Sequence, residues 1–192
     1  MIGLRNNMIV QNIAVNGATI TNGTKFADTG TDRHWISTSI GDMDADSDYV
    51  ILEGGINDDA SVIGDSKLGA LTGAATFTGE FDNTTFCGAL EYMFSQAYAR
   101  FPGKKIGFII VHKAAALLNS NGASGSNRYP LIVKACEKWG IPYLDLNIEC
   151  PPLNYIPSLK STYTNNGDGW HPNEAGYAAY YVPKIEAWMK TL

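Results

Sequence analysis

The chain has 192 residues, 45% of them hydrophobic and 17% charged, with a formal net charge of −5. That length and balance fit one globular domain over residues 1–192 with a sizeable core, and they exclude a disordered chain. Lys and Arg form no block longer than Lys104-Lys105, so no basic stripe offers a surface to nucleic acid, and the apolar runs are too short to span a bilayer.

The cysteines Cys87, Cys136 and Cys150 are widely spaced and odd in number. No Cys-x-x-Cys or Cys/His spacing suggests zinc, and buried free thiols are expected. Met1–Arg5 lacks the apolar stretch of a signal peptide. The compartment, cytoplasmic or secreted, stays open.

In chain order, Met8–Val15 reads as a strand ending at Asn16-Gly17, and Asp32–Ile40 as a short helix. Asp48–Glu53, carrying Tyr-Val-Ile-Leu, reads as a fully buried strand closed by Gly54-Gly55. Residues 56–83, rich in Gly, Thr and Asp, read as a long loop with room for a short helix. Thr84–Arg100 is a helix with Leu90, Phe94, Ala97 and Phe101 at near-helical spacing, stopped by Pro102-Gly103. Ile106–Val111 is an apolar strand, and Asn119–Ser126 a polar loop. Tyr129–Trp139 is helical and ends at Gly140; Pro142–Leu146 is a short strand; Pro151–Gly167 is a loop. Asn173–Met189 forms the last helix, kinked or divided at Pro183. This alternation predicts an α/β fold, a mostly parallel sheet flanked by helices in three layers. Ligands of such sheets collect at the carboxyl ends of the strands, where Gly17, Gly54–Asn57 and the loop before the last helix would meet.

That loop carries Asp168-Gly169-Trp170-His171-Pro172-Asn173. An imidazole titrates near neutral pH and suits a general base, and a carboxylate three residues earlier can accept its Nδ1 proton and fix the tautomer. The plainer reading is that both residues cap the helix. Asn57 follows two glycines at a strand end, where its amide could donate to an oxyanion or simply close a turn. Gly17, in Ala14-Val15-Asn16-Gly17-Ala18-Thr19, admits the same two readings through its N–H. Gly55 would let the backbone approach a substrate.

In combination these residues resemble the SGNH hydrolases, the GDSL-type esterases and lipases. The resemblance rests on a glycine block around Asn12–Thr19, on Gly55-Ile56-Asn57-Asp58, and on Asp168-Gly169-Trp170-His171, in the family's order over nearly the whole chain. It implies a flavodoxin-like sheet of order 2-1-3-4-5, an acyl ester substrate such as an acetylated carbohydrate or a short lipid, and no metal or organic cofactor. It further implies that His171 is the base, Asp168 its orienting acid, and Asn57 Nδ2 with the Gly17 N–H the oxyanion donors. One block is missing. The family's Gly-Asp-Ser, with the nucleophile, precedes the glycine block on the first strand; here Gly64-Asp65-Ser66 follows the third block and has no buried strand before it. It reads as an accidental match, and Ser37, Ser39 and Thr19 have no supporting motif. The expected sheet therefore lacks its first strand. Met8–Val15 should then pair directly with Asp48–Glu53 or with a neighbouring chain, which makes a homo-oligomer an expected partner state.

His112, after the strand Ile106–Val111, and Trp170, beside His171, are further substrate-lining candidates. His34 reads as a partly exposed helix residue. Asp58-Asp59 read as solvated or capping carboxylates rather than a cation site. The second function carried forward is a non-catalytic relative that binds a carbohydrate or a partner.

Overall fold

The structure, a computed structural model, describes residues 2–58, 62–113 and 128–192. Its centre is a parallel sheet of three strands in the order β1-β2-β3: β1 (Tyr49–Glu53), β2 (Lys105–Ile110) and β3 (Tyr143–Asp145). Each strand is a short aliphatic run closed by a turn residue, and β2 buries every side chain after Lys105. Strands covered on both faces carry such unbroken apolar runs.

The first helix, α1 (Ile2–Arg5), is short. One face of the sheet packs on the helices α2 (Phe86–Arg100) and α3 (Arg128–Trp139), through Val50, Leu52, Ile106, Phe108 and Ile110 with Leu90, Phe94 and Ile132. Thr85 caps α2 by accepting the Gly88 N–H at 3.3 Å, and Gly140, with φ at +61°, follows the end of α3. The other face carries Ile51, Ile109 and Leu144 against Tyr180, Tyr181, Ile185 and Trp188 from the C-terminal helical run. The α/β three-layer arrangement expected from the sequence is therefore present.

The C-terminal run begins at Asn173, whose Oδ1 accepts the Gly176 N–H at 2.9 Å. A single turn at Glu174–Gly176 passes into a π-helical segment, Tyr177–Tyr181, and then into the helix Val182–Met189. The divided helix expected around Pro183 has this physical form. A proline has no N–H and crowds the carbonyl four residues before it, so the regular α ladder breaks just ahead of it.

Gly107 lies inside β2, where a Cβ would sit 2.5 Å from the Trp188 ring. A glycine inside a strand here lets the C-terminal helix close on the sheet. Gly107→Ala should lower the unfolding free energy by about 1–3 kcal/mol through overpacking, measured by denaturant melts.

Three expectations need correction. Met8–Val15 is not a strand and does not pair with β1. The segment is largely exposed, with Ile9 and Val10 in solvent, and its fixed points are polar: Gln11 bonds the Asp42 carbonyl at 3.4 Å and the Asp44 N–H at 2.7 Å. Apolar residues specify a strand only when a ladder and cross-strand partners meet them, and this segment meets neither. Asp32–Ile40 is not a helix throughout. The His34 carbonyl and the Ile36 N–H are taken by Thr19, at 3.0 and 2.8 Å, so helical geometry starts only at Ile36 and continues as a 3₁₀ turn to Asp42. Residues 151–167 are not all loop. Pro157–Tyr163 is helical, started by its proline and invisible to periodicity because it buries no residue. The loop expected at Asn119–Ser126 lies outside the described residues.

The outer edge of β1 has no strand partner among the described residues. Lys105 N–H donates to the Asp48 carbonyl at 3.1 Å, which sets the ladder so that Val50 and Leu52 bond β2. The N–H and C=O groups of Tyr49, Ile51 and Glu53 therefore point away from the sheet, without a hydrogen-bond partner among the described residues.

Candidate active site

The loop before the C-terminal run builds the first half of the site. Asp168 Oδ1 accepts the N–H groups of Trp170 and His171, at 2.8 and 3.0 Å, and Oδ2 lies 2.7 Å from His171 Nδ1. Desolvation alone would raise the Asp168 carboxyl, but the His171 and Trp170 N–H groups and the His171 ring outweigh it and hold it below its ordinary value. The His171 side chain is 69% exposed, and its Nε2 has no hydrogen-bond partner among the described residues. Helix capping is not the work of this pair, since Asn173 caps the helix. Gly169, at φ +80°, has no room for a Cβ, which would sit 2.3 Å from Asn154 Oδ1.

The second half hangs from the end of β1. Asn57 Nδ2 donates to the Ala18 carbonyl at 3.0 Å, which sets the Asn57 amide beside the Gly17–Ala18 turn and leaves its second N–H without a partner among the described residues. Gly17 has φ at +76°; its carbonyl accepts from Arg33 at 2.7 Å, and its N–H has no partner among the described residues. Gly55 is buried at φ +98°, with Ile132 3.0 Å from where its Cβ would be.

Asp58 joins the two sequence blocks of this half. It is fully buried, and its carboxylate accepts the N–H groups of Ile20 and Thr21 at 2.8 and 2.9 Å. Its backbone carbonyl accepts from the buried Arg128. Desolvation pushes the carboxyl up, opposed by these N–H groups and by the Arg128 charge. Asp58 is thus neither solvated nor a helix cap but a buried brace between distant loops, and Asp59 lies outside the described residues. No group of three or more metal-ligating side chains occurs among the described residues. Neither the Ile20–Thr21 contact nor the Arg128 contact has a local sequence signal, because the partners lie 37 to 70 positions away.

The sheet relates the two halves. Glu53 stands opposite Ile109, so β1 and β2 leave the sheet side by side. Gly54–Asp58 issues from one strand and Val111-His112 from the other. His112 is buried against the first half of the site, with Nε2 3.3 Å from the Gly169 carbonyl and Nδ1 2.6 Å from the Tyr181 hydroxyl. Trp170 is half-buried.

The hydroxyls weighed as nucleophiles lie elsewhere. Ser66 is exposed on a single 3₁₀ turn, Asp65–Lys67. Thr19 and Ser37 are fully buried and committed to Thr21, Thr24 and Asn22. Ser39 bonds His34 Nε2 at 2.7 Å and the Trp35 carbonyl at 2.9 Å.

The model of the GDSL-like lipase/acylhydrolase family matches residues 3–179. The chain belongs to the GDSL-like lipase/acylhydrolase family. Solved structures share its fold at low identity. A Lactobacillus plantarum protein is 22% identical with a TM-score of 0.75, over 98% of this chain and 85% of that one. A candidate GDSL-like lipase from Bacteroides ovatus is 20% identical with a TM-score of 0.62, over 99% and 73%. A second, from Bacteroides uniformis, is 18% identical with a TM-score of 0.52, over 91% and 64%. No curated protein matches this GDSL-like chain. Among its described residues no helix is long and apolar enough to cross a membrane.

Proposed function

We propose that this GDSL-like protein serves the hydrolysis of carboxylic esters, with His171 as general base and acid, Asp168 as its orienting carboxylate, and Asn57 Nδ2 and the Gly17 N–H as oxyanion donors. The observation that carries this reading is the Asp168–His171 pair, at 2.7 Å, on an exposed ring whose Nε2 has no hydrogen-bond partner among the described residues. A carboxylate on Nδ1 keeps the proton there and leaves Nε2 basic. A serine hydroxyl brought to Nε2 would lose its proton to the ring as its oxygen attacks the ester carbonyl. The carbonyl oxygen, now negative, would rest on the Asn57 and Gly17 donors, and the ring would return the proton to the departing alcohol. Water then repeats the sequence on the acyl-serine and releases the acid. We take the nucleophilic serine to be absent from this chain, whose Gly64-Asp65-Ser66 does not stand in the family's position.

Without that serine, the remaining groups supply only residual catalysis. Hydrolysis of p-nitrophenyl acetate by the 192-residue chain is expected to be slow, to fall to buffer background in His171→Ala, and to be unchanged in Ser66→Ala. Equal rates for the wild type and His171→Ala overturn the hydrolytic reading. Loss of turnover in Ser66→Ala would make Ser66 the nucleophile. One observation favours the second reading, a relative that binds a carbohydrate or partner without catalysis: His171 Nε2 meets no hydroxyl among the described residues. The His171→Ala comparison separates the two.

A further inference from the structure

His112 and Tyr181 have no part in the chemistry above, yet they are among the most buried polar side chains near it, at 1% and 5% exposure. Their proton positions follow from the partners. The Gly169 carbonyl can only accept, so at 3.3 Å the proton on His112 must sit on Nε2. A neutral ring then has a bare Nδ1, which accepts the Tyr181 O–H at 2.6 Å, while the Tyr181 oxygen accepts the His112 backbone N–H at 3.4 Å. This arrangement satisfies both ring nitrogens, the phenol and the backbone N–H together. Burial disfavours the imidazolium and pushes the Tyr181 phenol up, so both groups keep these roles at neutral pH.

The pair ties three elements together. His112 stands directly beyond β2, and Tyr181 ends the π-helical segment Tyr177–Tyr181. Such segments add a residue to a helical turn and recur at functional sites. Gly169, the residue they hold, lies between Asp168 and His171. Its N–H is held independently by Thr164 Oγ1 at 2.9 Å. The peptide groups on both sides of Gly169 are therefore fixed, one through a threonine and the other through the sheet.

We propose that His112 and Tyr181 are a positioning pair: a neutral His112, with its proton on Nε2, holds the Gly169 carbonyl and sets the Asp168–His171 dyad against the sheet edge that carries Asn57. The inference deepens the hydrolytic reading and rests on it for its purpose, but its geometry is tested without turnover. The pair touches no substrate; it acts through Gly169.

Nitrogen-resolved NMR of the histidine rings, with amide hydrogen exchange, tests it on the whole protein. At pH 8, His112 is expected as the Nε2–H tautomer. In Tyr181→Phe, which removes one oxygen, exchange of the Trp170 and His171 amides should quicken about tenfold while the amides of α2 and β2 keep their protection. His112→Ala should do the same, and His112→Gln, whose amide can reach Gly169, should bring exchange back to within about twofold of wild type. The Nδ1–H tautomer at His112 in the wild type overturns the proposal and needs no variant. Unchanged Trp170 and His171 exchange in Tyr181→Phe also overturns it, as does a loss of protection spread evenly through the chain. Failure of the p-nitrophenyl acetate test would remove the hydrolytic reading and leave these outcomes readable.

Discussion

Asp58→Ala is expected to lower the unfolding free energy by about 4 kcal/mol in denaturant melts, among the largest effects of any single change in this protein. The carboxylate accepts two buried N–H groups, from Ile20 and Thr21, and lies near the buried Arg128 charge. Removing it orphans both donors at once, each at about 1–3 kcal/mol, with nothing to replace them. Asp58→Asn should recover little, because one of the two acceptors becomes an amide facing a backbone N–H. The change should also reach the site. Ile20 and Thr21 continue the Gly17–Ala18 turn, and Asp58 follows Asn57, so this carboxylate keeps the two oxyanion candidates together. Chemical shifts of the Gly17 and Asn57 N–H groups should move in a destabilised but folded Asp58→Asn protein; shifts confined to residues 20–21 would refute the coupling.

Glu91→Ala should cost about 3–5 kcal/mol, measured the same way. The Glu91 side chain is 0% exposed and its ion-pair partner Lys138 9% exposed. Thr72 N–H and Oγ1 also bond Glu91, at 2.8 and 3.0 Å, and the Trp139 indole N–H lies at 3.3 Å. Truncating the acid strands a buried ammonium, which is worse than never having had the pair. Desolvation acts to raise the Glu91 carboxyl, but Lys138 and the Thr72 and Trp139 donors outweigh it and hold it below its ordinary value. A folded pKa below the unfolded one contributes stability that is full above about pH 5 and fades as pH falls through the depressed value. The wild type should lose stability across that acid range more steeply than Glu91→Ala does. Parallel pH profiles would show that the pair contributes nothing through ionisation.

The parts legible in the sequence are those whose cause is local. β1 and β2 carry aliphatic runs that only a covered sheet accommodates, and α2 carries Thr85 ahead of its apolar stripe. Asp168 and His171 are three residues apart, and a short loop suffices to bring a carboxylate onto an imidazole. What escaped the sequence depends on distant partners. Met8–Val15 has an apolar start, but no ladder waits for it. Asp58 looks like any turn aspartate until Ile20 and Thr21 are seen upon it. Tyr181 reads as one of several tyrosines in a helix, and only the π-helical register before Pro183 and the arrival of His112 from β2 distinguish it.

The three cysteines are buried and unbridged. Burial pushes the thiols of Cys87 and Cys150 up to about 11 and that of Cys136 to about 12. An alkylating reagent attacks the thiolate, so near pH 8 the native protein presents it with almost nothing to react with. Each sulfur becomes reactive only when the segment covering it opens. Cys87 and Cys136 sit on the helices of one sheet face, while Cys150 packs with Leu144 and Tyr181 on the other. The rate at which each gains mass in iodoacetamide is thus a clock for the opening of its own layer, and the chain carries a probe of breathing on either side of its sheet with no label added.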